Sequence, residues 1–161
     1  LIPIFIFLYT FILLLKFMVS LEGNQHEKKQ PLGDPIIIHG RQLSLSRAVQ
    51  AGDYIFCTGQ VPMKEGRVMT SGSIEEQTRV VIDEIRKTLG IADCSLDDVV
   101  KSIVWLQDKN DFPGFNEVYS EYFKNDPPAR SAVVNELLVD VRVEIEVIAY
   151  KPQKISETSS G

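Results

Sequence analysis

The most regular hydrophobic pattern in the chain lies between Val141 and Tyr150. Val141, Val143, Ile145, Val147 and Ala149 fall on one face, with Arg142, Glu144 and Glu146 on the other, followed by Ile148 and Tyr150. A period of two predicts a strand with one face on a core and the other toward water, a ligand or another subunit. Earlier, Ile74, Thr78, Val81, Ile82, Ile85 and Leu89 recur at helical spacing, while Gln77, Arg79, Asp83, Glu84 and Lys87 fall largely outside that stripe. Ser73-Ile74-Glu75-Glu76 supplies a capping box in front of this helix and Gly90 ends it. The run VVKSIVWL at 99–106 is too continuously apolar for a strand with one wet face, and predicts a central strand covered on both sides.

Weaker signals fill in the order. The β-branched run Ile36 to His39 predicts a first strand, and Leu43, Leu45, Ala48 and Val49 a second extended piece. Ala51-Gly52-Asp53 is a hairpin-type turn into a strand at 54–58, closed by Gly59. A glycine there serves equally as a plain turn residue or as a place where backbone approaches a ligand. The segment 62–72 reads as a loop. Asn110 or Asp111 caps a second helix with Pro113 in its first turn and Phe112, Phe115, Val118 or Tyr119, and Tyr122 inward. Residues 125–128 close that helix, and a loop ending in Arg130 leads to a short apolar strand. The order β-β-β-α-β-α-β-β specifies an α+β fold, a mixed β-sheet with two helices on one face. Ile148, Tyr150 and the 99–106 run leave the other face apolar, which implies burial against another subunit.

Composition adds bounds. The chain has 161 residues, 44% apolar and 24% charged, ordinary values for one globular domain. That domain is expected over 35–152, after a flexible lead-in at 18–34 and before a disordered polar tail at 153–161. Residues 1–17 stand apart: LIPIFIFLYTFILLL is continuously apolar but shorter than the roughly 20 residues of a comfortable membrane span. It lacks a basic segment before it and a good cleavage site after it, and Met18 would open a hydrophilic start. An upstream extension outside the working protein, a signal or anchor segment, and a sequence cut at its start all remain open. The first gives a cytoplasmic protein, the second a secreted or membrane-anchored one. A net charge of −5 argues against a surface that tracks phosphates. Cys57 sits in an apolar strand and reads as a core residue, and neither His26 nor His39 has a partner at metal-ligand spacing, so no metal site is expected.

No GxGxxG, P-loop, GxSxG or HExxH pattern occurs. What is left is Arg130, Glu144, Glu146, Asn116 and the strand end at Gly59. A guanidinium fork matches the two oxygens of a carboxylate. A carboxyl group at a partly dry boundary has a raised pKa and exchanges protons with water. Together they suit a small carboxylic acid hydrolysed at a neighbouring carbon. The same residues also fit solvated or mutually paired surface charges, and residue types alone leave both open.

The segment PPARSAVVNELLVDVRVEIEVIA closely resembles the signature of the RidA (YjgF/YER057c/UK114) family, as do FCTGQVP at 56–62 and DFPGFNEVYSEYF before the signature. The resemblance covers roughly residues 35 to 152. It implies a chorismate-mutase-like fold assembled as a homotrimer with ligand clefts between subunits. It implies a cofactor-independent enamine/imine deaminase, a hydrolase turning 2-aminoacrylate-type imines into 2-keto acids and ammonia. On this resemblance Arg130 clamps the substrate carboxylate and Glu144 holds the attacking water. Gly59 and Asn116 line the cleft, and Glu146, paired with Arg142 or Arg130, tunes charge. Two positions depart from the pattern. Ala132 replaces a common cysteine, leaving its backbone to serve the substrate. Ala48 stands where a pocket-closing tyrosine would fall, which would widen the pocket or change its specificity, as in a subfamily member with a different imine substrate. The same cleft in a non-catalytic sensor of small carboxylates is the alternative. Cleavage of RNA or inhibition of translation, also attached to the family, fits poorly with an acidic chain lacking a basic-aromatic stripe, so no nucleic-acid partner is expected.

Overall fold

The computed structural model describes residues 29–38 and 40–152; the apolar run 1–17, His26, His39 and the tail 153–161 lie outside the described residues. In chain order the strands are β1 (Gln30–Leu32), β2 (Ile37–Ile38), β3 (Arg41–Gln42), β4 (Ala48–Ala51), β5 (Tyr54–Cys57), β6 (Met63–Lys64), β7 (Arg67–Val68), β8 (Val99–Leu106), β9 (Ala129–Val134) and β10 (Val143–Tyr150). Helix α1 spans Ile74–Gly90 between β7 and β8, and α2 spans Phe112–Tyr122 between β8 and β9. The main sheet has the order β1-β4-β5-β10-β8-β9. Its neighbours run antiparallel except β8 and β9, which are parallel. This is the expected α+β fold.

The alternation at 141–149 translates directly into packing. Val141, Val143, Ile145, Val147 and Ala149 are all buried, and β10 lies in the interior of the sheet. The α1 stripe Val81, Ile82, Ile85 and Leu89 packs into the same core as Ile55, Cys57, Val104 and Ile145. The capping box is formed: Ser73 Oγ accepts from the Glu76 amide, and Glu76 accepts from the Ser73 amide. Gln77, read as lying outside the stripe, is fully buried. Its amide oxygen accepts from the Arg142 backbone N–H at 2.8 Å, so it joins the first turn of α1 to the start of β10. A polar side chain can sit in that position because the core there contains a backbone donor to satisfy.

Several segments differ from the sequence pattern. The sheet starts at Gln30, within the expected lead-in, because an edge strand needs only backbone pairing and its residues show no periodicity. β2 and β3 form a separate hairpin about Gly40 rather than joining the main sheet. The 62–72 loop contains a second hairpin, β6–β7, whose two-residue turn Glu65-Gly66 has positive φ at both positions (52° and 75°). That is the turn geometry matching strand twist, here without the usual Asn or Asp signal. β8 is central but not covered on both sides within one chain. Val99, Ser102, Val104 and Leu106 are buried, while Ile103 and Trp105 are only half-buried on the opposite face. The described chain covers one face of that continuous hydrophobic run and leaves the other half-buried. Arg130 does not end a loop; it is inside β9.

The register places Tyr54, Phe56, Ile148 and Tyr150 together on the face away from the helices, continuing into Ile103 and Trp105. Tyr54, Phe56 and Tyr150 are exposed there, with the two tyrosine rings 5.2 Å apart. Among the described residues, no helix is long and apolar enough to cross a membrane.

Candidate functional site

Arg130 is delivered by the edge strand β9, opposite Ser102 of β8 in a parallel register. Ladder partners share a face, so the Arg130 side chain leaves the sheet on the buried Ser102 side and meets α2. Asn116 Oδ1 accepts a hydrogen bond from Arg130 Nη2 at 2.8 Å. The guanidinium carbon lies 4.6 Å from the Tyr119 ring centre, 5.4 Å from Phe115 and 5.9 Å from Phe112. Phe112, Phe115, Asn116 and Tyr119 share one helical face, so about two turns of α2 build the whole seat. Cation–π attraction favours the charged group over these rings. Among the described residues no carboxylate lies within ion-pair distance of Arg130. Ala132, two positions along β9, shares the Arg130 side of the strand and is exposed.

Glu144 occupies the other face of the sheet. It pairs across β10–β8 with Trp105, and Glu146 pairs with Ile103. Gly59 lies directly against the Glu144 carboxylate: a Cβ there would stand 2.2 Å from Oε1. The approach is enforced by backbone, because Gln60 and Ile145 exchange two hydrogen bonds of 2.9 Å beside it. Of the two roles open to Gly59, the structure therefore shows a close approach. Burial raises the Glu144 pKa above the usual glutamate value, and the neighbouring Glu146 adds to the rise. The expected partners of Glu146 are engaged elsewhere. Arg142 lies just before β10 and its guanidinium grips the buried Asp111, with Nε donating to Oδ2 at 3.0 Å, while Arg130 bonds Asn116.

These groups fall into two clusters rather than one. Ser102 and Trp105 are three residues apart on β8, so their ladder partners Arg130 and Glu144 project from opposite faces of the sheet. One chain brings Arg130, Asn116 and Ala132 to one side and Gly59 and Glu144 to the other. Ala48 belongs to neither. It is 1% exposed in the core, opposite Cys57 and Leu32, so it does not widen a pocket of this chain; the exposed apolar side chain of that segment is Leu45. Cys57 is a core residue: burial pushes its thiol up to about 12, with Cys94 and Glu146 adding to the rise. A separate polar cavity of about 290 Å³, lined by Gln77, Asp111, Asp140 and Arg142 among others, contains none of the candidate side chains.

Sequence reasoning missed Tyr119 and Phe115 as parts of the site, because helical spacing marks them equally well as core. It also missed Trp105, whose place beside Glu144 depends on strand register.

Comparison with known proteins gives a consistent result. Residues 41–151 match the family model described as Endoribonuclease L-PSP. A RutC family protein of Pyrococcus horikoshii is 49% identical over 109 residues, 66% of this chain and 86% of that protein. Protein HMF1 of Saccharomyces cerevisiae is 40% identical over 107 residues, 66% of this chain and 83% of that protein. The crystal structure of yeast Mmf1 aligns with a TM-score of 0.70 at 32% identity, over 77% of this chain and 99% of that one.

Proposed function

The chain belongs to the RidA (YjgF/YER057c/UK114) family, and from that membership we propose that it is an enamine/imine deaminase acting on small substrates that carry a carboxylate. The observation that carries this reading is Arg130, a half-buried cation seated on aromatic rings, fixed at one edge by Asn116 and with no carboxylate partner among the described residues. A guanidinium so held has donors left for a bidentate carboxylate. Glu144, partly desolvated, beside Glu146 and with no cation in an ion pair with it among the described residues, has its pKa raised, which suits it to take up and return a proton.

The proposed chemistry is hydrolysis. A 2-aminoacrylate-type enamine tautomerises to its imine, and Arg130 holds the carboxylate. Glu144 takes a proton from water as the water oxygen bonds to the imine carbon. The proton passes to nitrogen, the carbon–nitrogen bond breaks, and the carbinolamine yields a 2-keto acid and ammonia. No step draws on a cofactor. Because Arg130 and Glu144 leave opposite faces of one chain, a complete site requires a second copy, and the exposed apolar face around Phe56 supports a homotrimer with clefts between subunits.

The test is release of ammonia or keto acid from imines generated in situ by an amino-acid oxidase. The expected result is a rate above the spontaneous one that Arg130→Ala abolishes; equal rates with and without the protein sink the proposal. A non-catalytic sensor of small carboxylates is the second reading, favoured by Ala132 where a cysteine is common. Calorimetry showing tight binding of a 2-keto acid without turnover of any imine selects it. The ribonuclease named in the family description finds little support in a chain of net charge −5.

A further inference from the structure

Beneath Arg130 lies an unexplained pair of hydroxyls. Ser102 Oγ and Tyr119 OH are buried beside each other, and neither makes a hydrogen bond of normal geometry among the described residues. A buried hydroxyl so poorly paired is costly, and Tyr119 gains little through its oxygen. Its ring, by contrast, is fully used. One aromatic neighbour, Phe123, stacks with it at 4.4 Å and 26°, and Phe115 lies 5.3 Å away. The Arg130 guanidinium carbon is closer to this ring than to either Phe112 or Phe115.

We propose that Tyr119 is the positioning residue for Arg130: its ring, immobilised by Phe123 and Phe115, sets the height and plane of the guanidinium, while Asn116 sets its rotation. The inference rests on Arg130 being the carboxylate clamp. An arginine on an exposed edge strand has many rotamers to lose when it grips a small anion, and a floor fixed before the ligand arrives removes most of that loss. The Asn116 bond takes one Nη2 hydrogen and orients the fork, leaving its other N–H groups as donors for a planar carboxylate. Tyr119 therefore acts on ligand affinity through Arg130 and does not touch the reacting atoms.

The experiment measures binding of 2-oxobutanoate by titration calorimetry and, in parallel, KM and kcat for 2-iminobutanoate. Tyr119→Leu is expected to weaken 2-oxobutanoate binding and raise KM about tenfold, the worth of one partly desolvated cation–π contact. Its kcat should stay within about threefold of wild type. Tyr119→Phe, which keeps the ring, should bind like wild type, as should Ser102→Ala. A merely structural role predicts a fall in kcat and stability with no change in affinity for the folded fraction. A second measurement needs no change at Tyr119: the Arg130 Nε–H proton of the wild-type chain, assigned by its loss in Arg130→Ala, should be shifted upfield by the ring. A free-arginine position for that proton, wild-type affinity in Tyr119→Leu, or equal damage from Phe and Leu overturns the proposal. So does a wild-type chain that fails to bind 2-oxobutanoate. Binding without turnover instead removes the deaminase reading and leaves the positioning role to be judged by the same affinities.

Discussion

At the residue scale the two charges that matter are opposite in kind. Arg130 is a cation held by uncharged groups, and Glu144 is a carboxylate whose surroundings disfavour its charge. The sign of the second has a consequence for stability. A glutamate whose folded pKa is raised stabilises the fold fully only below the ordinary glutamate pKa, about 4.3, and loses that contribution as pH rises through the folded value. The ionised side chain is therefore a burden on the fold. Glu144→Gln should raise the thermal midpoint slightly at pH 7, with the difference from wild type vanishing near pH 4, while abolishing deaminase turnover. A midpoint that drops at pH 7 contradicts the direction of the shift. The acid limb of kcat/KM, followed from pH 4 to 8, should lie above the ordinary glutamate range if Glu144 must be ionised to accept a proton. Gly59 gives a complementary variant. Its φ is not in the left-handed region, so Gly59→Ala strains no backbone, yet the added Cβ would collide with Glu144 Oε1. The end of a flexible side chain gives way cheaply, so the expected result is a thermal midpoint near wild type with turnover cut about tenfold or more. Unchanged kcat/KM would show that the position of Glu144 is immaterial.

Individual elements show where sequence pattern is informative and where it is ambiguous. The α1 stripe and the β10 alternation are legible because each residue's burial follows from a fixed geometric period. The α2 face is legible only as apolar. Phe115 and Tyr119 satisfy the core requirement and the Arg130 seat with the same side-chain direction, so spacing cannot separate them. Gln77 is illegible for another reason: its burial depends on the Arg142 amide, which is distant in sequence and arrives only when β10 docks. That bond predicts a measurable cost. Gln77→Leu leaves the part-buried Arg142 N–H without this partner, which should destabilise the fold by about 1–3 kcal/mol in denaturant unfolding. Ser73→Ala, which removes an exposed cap, should cost only about 1 kcal/mol. The reverse ranking would mean that Gln77 merely fills space.

For the whole molecule, the sheet has one face under α1 and α2 and another bearing Tyr54, Phe56, Ile103, Trp105, Ile148 and Tyr150 without helices. If that face is closed by other copies of the chain, Phe56→Glu should leave the monomer folded by circular dichroism but shift sedimentation from a trimer to a monomer, and deaminase activity should go with it. A trimer retaining activity would show that the complete site is built another way. The sequence by itself determined the two helices, the central strands and the core face of β10, because local periodicity dictates which side chains can be buried together. The RidA family motifs also singled out Arg130 and Glu144. What only the tertiary structure decided is how those residues are shared out. Edge pairing at β1 and β9, the face on which Arg130 leaves the sheet, the contact of Gly59 with Glu144, and the place of Ala48 in the core all depend on strand register. Register is settled by pairing between distant segments, and a shift of one residue exchanges the two faces of a strand.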